Sequence, residues 1–155
     1  MPLPNIFNSL NTTLKEMQIS EILRANEKSQ KYGLSLTAGE AAEIVEARNH
    51  ILQNYGRVEI DAGITGKLIH AFCPSPYINQ EEYLSTLKEL QEVFYYLKNE
   101  TEDEIGDDEL INIIKDSFNN NCGGSVELLE GMELDAFARS FKRRIHPAYN
   151  SSEGE

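Results

Sequence analysis

The stretch of sequence that decides the fold is Asn79-Gln-Glu-Glu-Tyr-Leu-Ser-Thr-Leu-Lys-Glu-Leu-Gln-Glu-Val-Phe-Tyr-Tyr-Leu-Lys-Asn99. Its large apolar residues fall within a narrow arc at about 3.6 residues per turn, which is the pattern of a helix that buries one face. These residues are Tyr83, Leu87, Leu90, Phe94 and Leu97. Asn79 and Glu82 have the spacing of an N-terminal cap. We therefore predict a long central helix over residues 79–99.

The same periodicity continues on both sides of this helix. Thr37 and Glu40 have the spacing of a capping box, good helix formers run from Ala41 to Leu52, and Gly56 stands where a left-handed residue ends a helix. Further helices are predicted over residues 14–32, 62–72, 107–118 and 132–145, with one or two extra turns at 125–130.

One short run has the alternation of a strand. Val58 and Ile60 alternate with charged residues at 57, 59 and 61, but the run is too short to predict a strand. The predicted fold class is therefore all-α. We expect a compact bundle of five to seven helices with short loops and at most a trace of β.

The chain has 155 residues, which is the length of one ordinary domain. Two prolines near the start predict an irregular N-terminal arm at residues 1–13. We expect a single helical domain over residues 14–146 and a mobile polar tail at residues 147–155, after a proline ends the last helix.

The charge is unevenly distributed. Residues 79–135 contain sixteen acids and three bases, whereas the rest of the chain is close to neutral. The net charge of −12 disfavours binding to nucleic acid, which depends on Lys and Arg neutralising phosphates. It disfavours an anionic membrane surface for the same reason. A basic protein partner, or a second copy of the chain, is compatible with it.

The sequence predicts a cytoplasmic protein. It has no apolar run long enough for a membrane span and no signal-peptide pattern at its start. Its two cysteines, Cys73 and Cys122, do not make a disulfide framework.

The search for chemical motifs gives negative results. Only Asp103 fits a ligand position of a calcium loop, and Gly63–Leu68 lacks two required residues of a phosphate-binding loop. His70 and Cys73 are spaced i, i+3, but no second pair completes a zinc site. We predict no catalytic residue, no metal site and no cofactor, and we favour a non-enzymatic protein.

Arg48 breaks the pattern of its own helix, because it lies near the centre of the apolar arc. An arginine there needs a polar partner inside the protein. The favoured interpretation is a buried ion pair that fixes helix packing. The alternative is an anion-binding group in a cleft. In that alternative, the candidate ligand-binding residues are Arg48, His70, Cys73 and Tyr77.

The central helix carries a second candidate surface. Tyr96 points away from the apolar arc, and Tyr95 lies on its flank. Either another element covers this face or the tyrosines belong to an interface, and coverage is the favoured interpretation. The candidate partner surface comprises Glu89, Glu92, Tyr95, Tyr96, Asp103 and Glu104. The basic end of the last helix, with Arg139, Lys142, Arg143 and Arg144, suggests electrostatic pairing in a homodimer.

Several phrases of the sequence occur together in one known family. They are Tyr32–Thr37, Tyr55–Glu59, Lys67–Cys73, Ser75–Ile78, Glu89–Glu100 and Asp107–Ile111. With these phrases the chain resembles an uncharacterised family of small bacterial proteins, found chiefly in Gram-positive anaerobes and spore formers, over about residues 20–140. The resemblance implies a bacterial cytoplasmic protein and no catalytic residue.

Two functions remain open from the sequence. The first is a non-enzymatic acidic helical protein that mediates protein–protein interaction or self-association. The second is a small-molecule or anion-binding helical domain, with enzymatic activity open and with Arg48 in a cleft. A deep pocket with converging polar groups favours the second function, and a flat two-fold surface favours the first.

Overall fold

The computed structural model describes residues 2–145, and the side chains of residues 10–131 and 134–144. Six helices have ten or more residues: α1 (Pro2–Arg24), α3 (Ala38–Asn54), α4 (Gly63–Phe72), α5 (Tyr83–Glu100), α6 (Asp107–Asn119) and α8 (Leu134–Ile145). Short helices α2 (Asn26–Ser29) and α7 (Val126–Leu128), a 3₁₀ turn at Gln30–Tyr32 and a π-helical turn at Leu129–Glu133 complete the secondary structure. Residues 2–145 contain no strand, so the all-α prediction is confirmed.

The contacts divide the chain into two units, Met1–Glu92 and Val93–Glu155. Helix α5 contributes its N-terminal part to the first unit and its C-terminal part to the second. The single domain over residues 14–146 stays a prediction, and the tail at 147–155 lies outside the described residues.

The prediction of an irregular arm is wrong for residues 2–13, because α1 begins at Pro2. The first amides of a helix have no intrahelical acceptor, so prolines at positions 2 and 4 remove no hydrogen bond there. The two prolines therefore open the helix.

The core of the first unit is built from apolar faces of α1, α3, α4 and the start of α5. Its buried members are Ile22, Ala25, Leu34, Leu36, Ala41, Ile44, Val45, Ala62, Ile69, Cys73, Tyr83 and Leu87. The predicted capping box of α3 is present: Glu40 N donates to Thr37 Oγ1 at 3.1 Å, and Thr37 N donates to Glu40 Oε1 at 2.9 Å. Beyond α3, Gly56 has a left-handed φ of 65° and sends the chain into residues 57–61.

The second unit packs the end of α5 with α6, α7 and α8. Its buried apolar side chains include Leu97, Leu110, Ile114, Phe118, Leu129 and Leu134. Lys98 fastens the turn between α5 and α6, because its Nζ donates to Ile105 O at 2.6 Å and contacts Asp107 Oδ1 at 2.7 Å. The acidic turn is thus held by a largely buried cation.

Candidate functional site

Residues 57–61 form an irregular connection, with a bend at Ile60 and Asp61, whose carbonyl groups accept hydrogen bonds from side chains of two helices. Arg48 of α3 donates through Nη2 to Glu59 O at 2.6 Å and also to Asp61 O. Gln18 of α1 donates through Nε2 to Ile60 O at 2.7 Å. Side chains of α1 and α3 thus hold three consecutive carbonyls of this connection.

Arg48 is buried, with 1% of its surface exposed, as its place in the apolar arc indicates. Its third hydrogen bond runs from Nη1 to Asn49 Oδ1 at 2.6 Å. In the described part of the chain these acceptors are neutral oxygens, so the favoured interpretation of a buried ion pair is wrong about the partner. Main-chain carbonyls, whose position depends on the path of residues 57–61, take the place of the expected carboxylate.

A pocket of about 840 Å³ opens beside this connection, within the first unit. Its walls are residues 11–18 of α1, residues 49–53 of α3 and residues 56–60; we call it the α1–α3 pocket. Its volume lies in the range of about 300–1,000 Å³ that small-molecule sites occupy.

Gln18 is the most informative residue of the pocket wall. The residue is only 5% exposed, and its Oε1 has no hydrogen-bond partner among the described residues. The orientation of the amide is fixed, because Ile60 O can accept only from the NH₂ group. A buried oxygen that lacks a donor is costly in a folded protein, so this atom calls for an explanation.

The pocket also carries charge and apolar surface. Lys15 and Arg57 bring two cations, and the Glu59 carboxylate lies 3.9 Å from Arg57 Nε. Leu14, Leu52, Val58 and Ile60 supply aliphatic side chains. Val58 is 87% exposed at the rim. The chain as a whole has a net charge of −12, but two cations against one carboxylate give this pocket a locally positive charge.

The predicted ligand-binding residues do not form this pocket. Arg48 does not line the pocket and contacts its wall through Asn49 and the Glu59 carbonyl. His70 and Tyr77 are exposed, and Cys73 is buried in the core of the first unit with Sγ 3.8 Å from His70 O. A ligand-binding role for these four residues stays a prediction.

The predicted partner surface is exposed only in part. Glu89 and Glu92 are exposed on α5, as are Asp103 and Glu104 in the turn that follows it. Tyr95 is fully buried, so its assignment to a partner surface is wrong. The half-buried Tyr96 donates to Asp135 Oδ1 at 2.7 Å. Both tyrosines thus have the covered environment that the sequence favoured.

Two kinds of feature are missing from the described residues. No group of three or more His, Cys, Asp or Glu side chains is arranged to hold a metal ion. None of the helices between residues 2 and 145 has the length and apolar character needed to cross a membrane.

Sequence reasoning missed the residues that line the α1–α3 pocket. One signal was present: Leu14, Gln18 and Ile22 share a face of α1 at i, i+4 and i+8, and Gln18 is the polar member of that stripe. A glutamine in such a position needs partners inside the protein. Lys15, Asn49 and Arg57 carry no comparable signal, because polar residues are common on exposed helix faces and in loops.

Fold and site together define an all-α protein with an open pocket of mixed polarity in its first unit. The chain belongs to a family of unknown function, DUF6323, whose family model matches residues 21–147. The family resemblance is thereby confirmed, while a Gram-positive origin stays a prediction. The match begins after the α1 wall of the pocket and includes its α3 and loop walls. No curated protein and no solved structure matches the chain.

Proposed function

We propose that this chain is a non-enzymatic small-molecule-binding domain and that the α1–α3 pocket is its ligand site. The observation that carries the proposal is the pocket of about 840 Å³ itself, which brings the cationic side chains of Lys15 and Arg57 together with the aliphatic side chain of Leu14. The proposal takes up the small-molecule class that the sequence left as the alternative, but it places the site at residues other than Arg48.

Binding fits the pocket better than catalysis does. General acid–base and nucleophilic mechanisms depend on groups such as His, Cys or a poised carboxylate. The described lining residues include neither His nor Cys, and their one carboxylate, Glu59, lies beside Arg57. The lining is therefore suited to holding a ligand in place.

Native mass spectrometry of the protein purified from bacterial cells tests this proposal. We expect a small-molecule adduct on the wild-type chain that is lost in Leu14→Trp, which places a bulky indole in the pocket and obstructs it. Met17→Trp is the matched control, because Met17 is exposed on α1 and does not line the pocket. Circular dichroism verifies that both variants are folded. An adduct that persists in Leu14→Trp, or a wild-type chain without any adduct, contradicts the proposal.

The proposal includes a bacterial cytoplasmic location. Cys73 and Cys122 are both buried free thiols, which suits a reducing compartment. Immunodetection in fractionated cells of the native host tests the location. Recovery in the membrane or secreted fraction contradicts it.

Protein–protein interaction or self-association is a second candidate. It is supported by the exposed carboxylates of Glu89 and Glu92 on α5 and of Asp103 and Glu104 in the following turn. The basic end of α8 is partly engaged within the chain, since Lys142 Nζ contacts Glu100 Oε1 at 2.7 Å. Sedimentation at low and high salt tests it: an electrostatic homodimer dissociates as salt rises. A monomeric mass under both conditions contradicts the dimer.

A further inference from the structure

Asn49 gives the α1–α3 pocket a hydrogen-bond donor whose orientation is fixed by Arg48. The Asn49 side chain lines the pocket and is half-buried, and its Oδ1 accepts from Arg48 Nη1 at 2.6 Å. A guanidinium group has donors and no acceptor, so the atom that faces Arg48 must be the amide oxygen. The amide nitrogen, with its two N–H groups, is left for the other side. Arg48 thus acts as a positioning residue for Asn49.

The Asn49 nitrogen is the end of this side chain that a ligand can meet. Arg48 is only 1% exposed, so it holds the amide oxygen on the interior side of the pocket wall. In the part of the chain that the structure describes, Asn49 Nδ2 has no acceptor. An amide nitrogen donates and does not accept, so the ligand atom that it binds is an acceptor.

Two cations line the same pocket. Lys15 lies on α1, and Arg57 belongs to the connection after α3. Among the residues that the structure describes, Lys15 makes no ion pair, whereas Arg57 Nε lies 3.9 Å from Glu59 Oε2. Two cations and the one carboxylate of Glu59 leave the described lining with a single positive charge. A monoanion matches this charge better than a phosphate monoester, which carries about −1.5 to −2 at pH 7.

Aliphatic side chains cover part of each wall. Leu14 belongs to α1, Leu52 to α3 and Val58 to the connection, and all three line the pocket. An alkyl chain that packs on them leaves water, and each fully buried methylene group raises affinity by up to about fourfold. The pocket therefore favours an acceptor-bearing monoanion that also has an aliphatic body.

We infer that the α1–α3 pocket binds a short aliphatic monocarboxylate. The carboxylate accepts a hydrogen bond from Asn49 Nδ2 and pairs with the cations of Lys15 and Arg57. The alkyl chain packs on Leu14 and Leu52. Each of these five side chains lines the pocket. This inference rests on the proposed function and gives its ligand class.

Titration with n-hexanoate, followed by ¹H–¹⁵N NMR of the full-length chain, tests the inference at the atom that carries it. The side-chain NH₂ group of an asparagine gives its own pair of signals. We expect the Asn49 Nδ2 signals to shift as hexanoate binds, together with backbone signals of residues 11–18, 49–53 and 56–60. Saturable binding that leaves the Asn49 side-chain signals unmoved overturns the inference.

Three further probes separate the charge from the alkyl chain. Hexanamide is neutral and should bind about threefold to tenfold more weakly than hexanoate, with less dependence on salt. Acetate keeps the carboxylate without the chain and should bind at least about tenfold more weakly. Hexyl phosphate has a second negative charge and should gain no affinity over hexanoate. Equal binding of hexanoate and hexanamide, or tighter binding of hexyl phosphate, contradicts the monocarboxylate class.

Asn49→Asp tests the orientation of the amide. The new carboxylate still accepts from Arg48 Nη1, but a negatively charged oxygen replaces the donor. Hexanoate affinity should fall at least about tenfold. The thermal midpoint should stay at or above that of the wild type, because the buried guanidinium gains a charged partner. Asn54→Asp adds the same charge at an exposed position of α3 outside the pocket and should change affinity by less than about twofold. Wild-type affinity in Asn49→Asp overturns the inference.

Lys15→Met provides a second variant at an exposed position, where folding is not at risk. It should weaken hexanoate binding by about twofold to fivefold, whereas Lys31→Met, at an exposed lysine outside the pocket, should leave it unchanged. If hexanoate does not bind but a Leu14→Trp-sensitive adduct co-purifies, the ligand class is wrong and the proposed function stands. If neither hexanoate nor an adduct binds in the pocket, both are wrong.

Discussion

Nη2 of Arg48 lies 2.6 Å from the carbonyl oxygen of Glu59, and the same nitrogen donates to the carbonyl of Asp61. One buried guanidinium thus joins helix α3 to the connection at residues 57–61, which forms a wall of the α1–α3 pocket. Its Nε has no hydrogen-bond partner among the described residues, so the burial of Arg48 is only partly compensated.

Replacing Arg48 with Met tests this role. Two main-chain carbonyls lose their donor, and we expect the free energy of unfolding to fall by roughly 1–3 kcal/mol in urea titrations. Arg24→Met, at an exposed position of α1, should change it by less than about 0.5 kcal/mol. A free energy of unfolding that is unchanged or raised in Arg48→Met would contradict this role. It would show that the desolvation of the guanidinium equals or exceeds the stabilisation from its hydrogen bonds.

Replacing Lys98 with Met should loosen the turn between α5 and α6. The aliphatic stem is kept, but Ile105 O loses its donor and Asp107 its cation. We expect a loss of roughly 1–3 kcal/mol in unfolding free energy. Asp107→Asn removes only the half-exposed carboxylate and should lose less, about 0–1 kcal/mol. A larger loss in Asp107→Asn than in Lys98→Met would show that the ion pair, and not the carbonyl contact, holds the turn.

Stability at alkaline pH should depend on Tyr83. Burial raises the pKa of Tyr83 from its model-compound value of 10.0 to about 12; the nearby Cys73 thiol adds to the rise, and the Ser29 hydroxyl opposes it. Between these two pKa values the folded chain keeps a proton that the unfolded chain loses. The contribution of Tyr83 is therefore complete below about pH 10 and declines toward about pH 12.

The measurement is the urea unfolding free energy from about pH 8 to pH 11, compared between the wild type and Tyr83→Phe. The variant should lose less stability with rising pH. It should match the wild type within about 1 kcal/mol at neutral pH, because the Tyr83 hydroxyl has no hydrogen-bond partner of ordinary geometry among the described residues. Tyr32→Phe, at an exposed tyrosine, is the control and should retain the wild-type slope. Parallel pH profiles for all three chains would contradict this prediction.

Replacing Tyr96 with Phe should destabilise the second unit. The change removes the hydroxyl that donates to Asp135 Oδ1 at 2.7 Å and keeps the ring. A hydrogen bond to a charged acceptor contributes about 1.5–3 kcal/mol, and partial exposure places the expected loss near the lower value. Asp135→Asn can still accept the bond and should lose less. Thermal unfolding should give the highest midpoint temperature for the wild type, a lower one for Asp135→Asn and the lowest for Tyr96→Phe. An equal midpoint for Tyr96→Phe and the wild type would refute the prediction.

Much of the helical architecture could be predicted from sequence because its signals are local. The Thr37–Glu40 capping box and the apolar arc of the central helix depend on spacing alone, and both are present in the structure. The prediction fails at the start of α1, because the first turn of a helix accepts prolines that would interrupt its interior. Their position relative to the helix start decides their effect.

The site was less predictable, since it depends on contacts between segments far apart in sequence. The burial of Arg48 follows from its place in the apolar arc, but its acceptors lie 11 and 13 residues further along the chain. Gln18 binds a carbonyl 42 residues away. The periodicity of the sequence does not predict the path of residues 57–61. The pocket depends on that path, because residues 56–60 form one of its walls.

The hydrogen bonds from Arg48 and Gln18 to the carbonyls of residues 59–61 also bear on aggregation. Val58 and Ile60 are β-branched and exposed, and residues of this type favour the pairing of one strand with another. A stacking strand needs free carbonyl acceptors along an edge. Here the carbonyls of Glu59, Ile60 and Asp61 already accept hydrogen bonds from Arg48 and Gln18. The two side chains thereby leave an incoming strand fewer acceptors along this exposed stretch.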